Sequence, residues 1–165
     1  MENLLNKDSV KRVKEFIKKF SPELEVLVLD TSAKTAMDAA NSLKCDVGAI
    51  VKSLLFKAED SFLICLIAGD RRCSLNKLKK ILQKKDVSMA SADEVKKITG
   101  FSIGGVAPVA HLSNLNILID NSLSRFPYLF AASKFPRHKF ASPRRTSILR
   151  FSGSFGLISL INRPP

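Results

Sequence analysis

One lysine stands inside an apolar run, and its side chain is a candidate for binding chemistry. The segment 49–57, AIVKSLLFK, has the period of two that is typical of a strand, which puts Lys52 in one row with Ile50 and Leu54. A charged group in an apolar row is costly unless it meets an anion or reaches water. Lys52 therefore either binds a phosphate or a carbonyl oxygen, or extends its amine to the sheet edge.

The glycine-containing segment 100–108, GFSIGGVAP, is the second candidate. Gly104 and Gly105 can adopt backbone angles that are closed to other residues, and they let a ligand approach the amides, while Pro108 fixes the far end. The segment lacks both the GxxxxGK[ST] and the GxGxxG pattern of nucleotide-binding loops. It is either a structural turn or a loop whose amides face a ligand.

The remaining polar residues suggest no familiar catalytic set. His111 and His138 are the only histidines, and Asp120 is the single carboxylate near the glycine segment. No Ser/His/Asp order and no metal-ligand spacing is present, so we expect neither a metal nor a cofactor. If the chain is an enzyme, catalysis must rely on positioned water, backbone donors and groups of the substrate.

Composition bounds the class of protein. The formal net charge of +12 is uneven, because residues 121–165 hold eight basic residues and no acidic one. A basic excess favours nucleic acid as a partner, the alternative being a merely basic soluble protein.

The longest apolar stretch, 62–68, is far shorter than the roughly 20 residues of a membrane span, and the charged start differs from a signal peptide, which predicts a cytoplasmic protein. The three cysteines lack metal-site spacing, so we expect reduced, buried thiols.

Apolar periodicity predicts irregularly alternating helices and strands within one domain of residues 1–165. A hairpin joins strands 49–57 and 61–68 through the polar residues 58–60. A capping box of Ser91 and Glu94 begins one helix, and Gly100 is placed to end it. Beyond residue 134 the periodicity is lost, and this divergent basic C-terminal segment is either a basic tail that could contact nucleic acid, a poorly ordered end, or a segment that has diverged in sequence. The full set of predicted elements comprises helices at 10–20, 35–43, 74–83 and 91–100, and strands at 25–29, 49–57, 61–68, 115–119 and 128–132.

Four segments, in order along the chain, resemble the YbaK and prolyl-tRNA synthetase-associated domain family. They are TAMDAANSLKCDVGAIVKSLLFK, LIAGDRRCSLNKLKKIL, MASADEVKKITGFSIGGVAPVAH and LIDNSLSRF, and the similarity runs from residue 35 to residue 132. The resemblance implies a mixed, mostly antiparallel curved sheet or partial barrel surrounded by helices.

The resemblance also implies an activity, the hydrolysis of the ester that joins a wrong amino acid to tRNA. The expected substrate of this trans-editing reaction is Ala- or Cys-tRNA(Pro), and the expected partners are tRNA and an aminoacyl-tRNA synthetase. The family's essential lysine, which contacts the terminal adenosine, matches Lys52, and its GxxxP loop, which places the ester carbonyl, matches Gly104 to Pro108. The substrate-binding residues implied in this way are Thr35, Lys52, Ser102, Ile103, Gly104, Gly105, Val106, Pro108, His111, Asp120 and Ser133, with Lys52, Gly104 and Gly105 as the catalytic ones.

The chain departs from the family pattern at several points. Family members usually read PxGH after the loop, where Val109 and Ala110 here precede His111, and their acidic, helical ending is replaced beyond residue 140 by a basic one. Family members carry a glycine after the last central strand, where this sequence reads Ala131-Ala132-Ser133-Lys134. A lysine in that position is expected to narrow the pocket or move the loop. The alternative function is therefore a catalytically impaired module that binds tRNA or a synthetase.

Overall fold

A computed structural model describes residues 8–20, 25–29, 35–133 and 146–151 of the 165-residue chain. This part of the chain forms four α-helices and seven β-strands, with 3-10 turns at Val47–Ala49 and Asn121–Arg125. In chain order the elements are α1 (Asp8–Phe20), β1 (Glu25–Leu29), α2 (Ala36–Leu43), β2 (Ile50–Ala58), β3 (Ser61–Ala68), α3 (Leu75–Leu82), β4 (Val87–Met89), α4 (Ala92–Thr99), β5 (Asn116–Ile119), β6 (Leu129–Ser133) and β7 (Thr146–Phe151).

The strands form one open mixed sheet in the order β1-β7-β6-β2-β3-β5, with β4 paired to β2 beside this path. Most neighbouring pairs are antiparallel; β2 with β6 and β3 with β5 are parallel. The predicted fold class, a mixed and mostly antiparallel sheet with surrounding helices, is confirmed. The β2–β3 hairpin is also confirmed, and Glu59 in its turn has the positive φ of 54° that a tight connection requires.

Strand β2 has different neighbours along its two edges. One edge pairs with β3 from Val51 to Ala58. The other edge pairs with β6 only at Ile50 and Val51, and with β4 only from Phe56 onward. In the part of the chain that the structure describes, no strand pairs with residues 52–54 on this second edge, so the pairing is interrupted between β6 and β4. We refer to this place as the β2 gap.

The helices cover both faces of the sheet. Side chains alternate along a strand, so Val51 and Leu55 of β2 lie on one face. They pack in a cluster with Val13 of α1 and Val95 of α4. Phe56, on the opposite face, belongs to a second cluster that includes Leu78 of α3. Helices α1 and α4 therefore lie on one face, and α3 lies on the other.

Local sequence signals begin and end the helices as expected. Ser91 forms the expected capping box at the start of α4, and Ser74 caps α3. Thr35 begins α2 with a capping box to Asp38 that was not predicted. Gly100 ends α4 in the left-handed conformation, with φ of 77°. None of the described helices is long and apolar enough to cross a membrane.

The sequence pattern did not predict two strands of the sheet. Strand β4 was not predicted, because three residues are too short for a pattern of period two and they are held by pairing with the end of β2. Residues 146–151, expected to lie in a basic tail, form strand β7 between β1 and β6. The pairing on both sides supplies hydrogen bonds that outweigh the weak local pattern. The rest of the expected basic segment, 134–145 and 152–165, lies outside the described residues.

Gly69, directly after β3, provides a test of this packing. A Cβ atom there would collide with the carbonyl oxygen of Val47 and lie 3.0 Å from that of Ile50. We expect Gly69→Ala to lower the free energy of unfolding by about 3 kcal/mol, because backbone atoms cannot rotate away. Gly104→Ala is the control: its Cβ would meet nothing within 4 Å and only its φ of 75° is unfavourable, a cost of about 1 kcal/mol. Urea denaturation measures both, and equal losses would contradict the packing.

Candidate functional site

Lys52 lies at the β2 gap, on the face of the sheet that carries α2 and α3. Its side chain is half-buried, and its cross-strand partner on β3 is Ile67. Apolar clusters lie to either side of it, one containing Ile50 against α2 and the other containing Leu54 against α3. The prediction that Lys52 interrupts an apolar row is confirmed.

The Lys52 ammonium is held by backbone rather than by a carboxylate. Its Nζ donates a hydrogen bond to the carbonyl oxygen of Arg71, in the loop between β3 and α3. Burial lowers the pKa of Lys52; the Asp70 carboxylate opposes this shift, and the positive charge of Arg72 adds to it. The amine is thus a pre-positioned cation that has only part of its charge compensated, as an anion-binding lysine requires.

The loop that holds Lys52 is itself fixed by an ion pair. Asp70 accepts two hydrogen bonds from Arg125, of 3.0 Å from Nη1 and 2.7 Å from Nη2. Arg125 also donates from Nε to the Ser122 carbonyl oxygen at 2.8 Å, and its guanidinium lies 4.8 Å from the Phe126 ring centroid. The guanidinium holds the pKa of Asp70 below its usual value. The bidentate pair links the loop that binds the Lys52 ammonium to the 3-10 turn after β5.

The glycine segment forms a tight turn with its tip in solvent. Gly105 N–H donates to the Ser102 carbonyl oxygen at 3.0 Å, and Gly104 has the positive φ of 75° that glycine allows in the third position of such a turn. Ile103 and Gly104 are exposed, whereas Val106 and Pro108 are buried. One of the two glycine amides is therefore engaged inside the loop, while the amides of Gly104 and Val106 donate to no group of the described chain.

His111 stabilises the far side of this loop. Its Nε2 lies 2.8 Å from the Ala107 carbonyl oxygen, which can only accept, so Nε2 carries the proton. The imidazole packs edge-on against Phe101, with 6.1 Å between centroids. Burial lowers the pKa of His111, and the neighbouring Arg12 charge lowers it further. The structure thus places His111 as a neutral donor to the loop backbone.

Three other predicted site residues lie at the ends of elements. Asp120 is fully buried and accepts at 2.9 Å from the Ser122 amide, which begins the 3-10 turn after β5. Thr35 is exposed and caps α2 by accepting from the Asp38 amide at 3.1 Å. Ser133 ends β6, the strand that leaves β2 just before the gap, and its backbone pairs with Ser147. Lys134 lies outside the described residues.

The loop and the lysine lie on opposite faces of the sheet. Val106 and Ala107 pack into the same cluster as Val51 and Leu55, on the face away from Lys52. Ser53, next to Lys52, points to the loop side, and its buried hydroxyl has no hydrogen-bond partner in the described chain. Lys52 and Ser53, on adjacent positions of the unpaired stretch of β2, therefore point to the two faces of the sheet, one to the lysine side and one to the side of the glycine segment.

Sequence reasoning missed the charged residues around Lys52. Asp70, Arg71 and Arg72 follow β3 directly, and Arg125 joins them from a segment more than fifty positions away. The signal available was the run GDRR, three charged residues directly after the apolar strand that pairs with the Lys52 strand. A cleft of about 350 Å³ at the far end of the β2–β3 hairpin, lined by residues that include Phe62, Ile98 and Asn116, contains none of the predicted site residues.

The buried position of His111 predicts a pH dependence of stability. Because its folded pKa is below the ordinary 6.5, the unfolded chain takes up the proton at higher pH than the folded chain. The His111 contribution to the free energy of unfolding is therefore full above pH 6.5 and falls as pH decreases through the folded pKa. We expect His111→Gln, which keeps a donor but cannot titrate, to lose less stability than the wild type between pH 7.5 and 5. Denaturant unfolding across this range measures it; parallel losses would refute a buried neutral imidazole.

Comparison with known proteins identifies the family. Residues 30–141 match the aminoacyl-tRNA editing domain. The uncharacterized protein YwhH of Bacillus subtilis is 32% identical over 125 residues, 75% of this chain and 79% of YwhH. A proline–tRNA ligase of Caldicellulosiruptor bescii is 31% identical over 105 residues, 64% of this chain; the chain spans only 18% of the length of that ligase.

Solved structures agree with this assignment. The crystal structure of a proposed trans-editing enzyme for prolyl tRNA synthetase superposes with a TM-score of 0.76 at 32% identity and covers 88% of this chain and 87% of that one. The hypothetical protein APE2540 superposes with a TM-score of 0.73 at 28% identity, covering 86% and 88%. The resemblance inferred from four sequence segments is confirmed, and the chain belongs to the aminoacyl-tRNA editing domain family.

Proposed function

We propose that this protein hydrolyses the ester of mischarged aminoacyl-tRNA in trans, with Ala- or Cys-tRNA(Pro) as the substrate. The observation that carries the proposal is the half-buried Lys52, held by the Arg71 carbonyl oxygen at the β2 gap. A lysine whose position is fixed before the ligand arrives can bind the terminal adenosine and thereby orient the attached ester. Membership of the editing domain family and the likeness to a proposed trans-editing enzyme support the same activity.

The reacting ester would lie near the β2 gap, on the face of the sheet that carries the glycine segment. Attack of water on the ester carbonyl develops negative charge on its oxygen, which amide donors can stabilise by a few kcal/mol, on the order of 3. Because Gly105 N–H is engaged with Ser102, we assign this role to the amides of Gly104 and Val106. Gly105 would then shape the turn, and the exposed Ile103 would contact the substrate from the tip.

Among the described residues beside the glycine segment, none is an evident general base for this attack. The buried His111 donates its proton to the Ala107 carbonyl oxygen, and the buried Asp120 caps a turn. We therefore propose that a ribose hydroxyl of the terminal adenosine, or the side chain of the amino acid, takes over the positioning of water. The water oxygen bonds to the carbonyl carbon, and as the C–O bond to the ribose breaks, a proton of that water passes through the group that positions it to the ribose oxygen, which releases tRNA and the free amino acid. The reaction needs no cofactor, and we place it in the cytoplasm with tRNA and a synthetase as partners.

Deacylation of a panel of mischarged tRNAs tests the role of Lys52. We expect the wild type to release alanine or cysteine from tRNA(Pro), and Lys52→Ala to lower kcat/KM by about 100-fold through lost positioning. Lys57→Ala is the matched control, because Lys57 lies on the same strand but points to the other face, where it pairs with Glu94 at 3.2 Å. An exposed pair of this kind contributes about 1 kcal/mol or less to stability.

The outcomes of this panel are distinct. Equal activity of the wild type and Lys52→Ala would refute the assigned role of Lys52. Binding of tRNA by the wild type without any hydrolysis would refute the deacylase and support the alternative, an impaired tRNA-binding module of the same fold.

A modified substrate tests the proposed ribose hydroxyl. When the terminal adenosine of tRNA(Pro), charged on its 3′ oxygen, carries 2′-deoxyribose, we expect the enzymatic rate to fall by about 100-fold or more, a typical loss on removal of a proton-transfer group. The rate of spontaneous hydrolysis of each ester, measured without protein, serves as the reference. An unchanged enzymatic acceleration over that reference would contradict the role of the hydroxyl.

A further inference from the structure

The segment from Asp70 to Lys85 carries an unusual concentration of positive charge. It contains seven basic residues and one acidic residue, Asp70; the basic ones are Arg71, Arg72, Lys77, Lys79, Lys80, Lys84 and Lys85. The activity proposed above uses only the backbone carbonyl of Arg71 from this segment. The charge of the segment is therefore unexplained by the chemistry at the β2 gap.

Only two of these cations are balanced within the described chain. Arg71 Nε lies 3.6 Å from the Asp70 carboxylate, and Lys84 Nζ lies 2.6 Å from that of Glu59. The other five form no ion pair with a described residue. We call these five the basic strip: Arg72, Lys77, Lys79, Lys80 and Lys85.

Helix α3 presents the strip to solvent. Leu78 is fully buried on the inner side of the helix, so Lys80, about 200° further round, points outward and is exposed. Lys77 and Lys79 lie on the two flanks and are half-buried, with their stems along the helix. The eight residues of α3 extend over about 12 Å, enough for a few consecutive phosphates of one strand.

The strip begins at the Lys52 site. Arg72 follows the residue whose carbonyl holds the Lys52 ammonium, and its charge acts on Lys52 strongly enough to contribute to the lowered pKa. Two neighbouring cations repel each other, and an anion bound between or beside them offsets this repulsion. The exposed Arg72 guanidinium and the fixed Lys52 ammonium together have the chemistry of a phosphate site that continues along α3.

We propose that the basic strip binds the phosphates of the RNA strand that leads to the terminal adenosine, with Arg72 at the phosphate nearest Lys52. The inference rests on the proposed function only in taking an RNA 3′ end at the β2 gap. Binding through phosphates positions the strand without reading its sequence. The strip would therefore set the affinity for tRNA, while the glycine segment would select the amino acid.

Helix α1 offers a matched control on the opposite face of the sheet. It carries Lys11, Lys14 and Lys18 and packs through Val13 and Ile17 into the cluster that faces away from Lys52. Its basic residues are interspersed with Asp8 and Glu15, so its charge is less concentrated than that of the strip. Removing three positive charges there changes the net charge by the same amount as removing three from the strip.

The test compares two triple variants of the full chain, Lys77→Gln with Lys79→Gln and Lys80→Gln, and Lys11→Gln with Lys14→Gln and Lys18→Gln. Glutamine keeps the helix propensity of lysine, and thermal unfolding confirms that both triples are folded. We measure the Kd for uncharged tRNA(Pro) at several salt concentrations. The strip triple should bind about ten-fold more weakly than the wild type and reduce the slope of log Kd against log salt by about 2. The α1 triple should retain the wild-type slope.

Deacylation separates this inference from the proposed activity. Aminoacyl-adenosine lacks the preceding phosphates, so the strip triple should cleave it at the wild-type rate while its KM for aminoacyl-tRNA rises about ten-fold. If the wild type hydrolyses neither substrate, the proposed activity fails, and a salt slope that still depends on the strip supports the binding surface alone. Equal losses in the two triples, or no loss in the strip triple, would overturn the strip as the RNA surface whatever the activity.

Discussion

Strand β2 is shared by three neighbours, and this sharing is the constraint on which the site depends. Its edge toward β3 is continuously paired, so its position in the sheet is fixed along nearly its whole length. Its other edge is divided between β6 and β4, which pair at opposite ends. Within the described ranges, no strand pairs with residues 52–54 on this edge. Unpaired backbone groups of a sheet are tolerated where a ligand or water can satisfy them, and the proposed ligand lies at this edge.

The electrostatics of Lys52 follow from that gap. A lysine between two apolar clusters must be desolvated, and burial accordingly lowers its pKa. The fold offsets the cost with a backbone carbonyl rather than a carboxylate, which leaves the positive charge available to a ligand. A direct salt bridge would have neutralised it. The carboxylate that could have done so, Asp70, is instead occupied by a bidentate pair with Arg125.

The glycine segment is both a turn and a candidate binding loop, so the two alternatives raised by its sequence are not exclusive. The hydrogen bond from Gly105 to Ser102 closes the turn, and the positive φ of Gly104 makes that closure possible. His111 then holds Ala107 from the far side, which stiffens the segment between the tip and the buried Pro108. A stiff loop keeps its remaining amides in one orientation, as stabilisation of a developing oxyanion requires.

The sequence by itself determined what depends on neighbours along the chain: the β2–β3 hairpin, the capping box of α4, the glycine end of α4, and the apolar row that contains Lys52. These features involve contacts within a few residues, so spacing is enough to predict them. Only the tertiary structure decided that β7 inserts between β1 and β6, that β4 and β6 divide one edge of β2, and that Arg125 reaches Asp70. Each of these contacts joins residues that are far apart in the sequence, and the pairing of a strand depends on its neighbours in the sheet, so no local pattern predicts it.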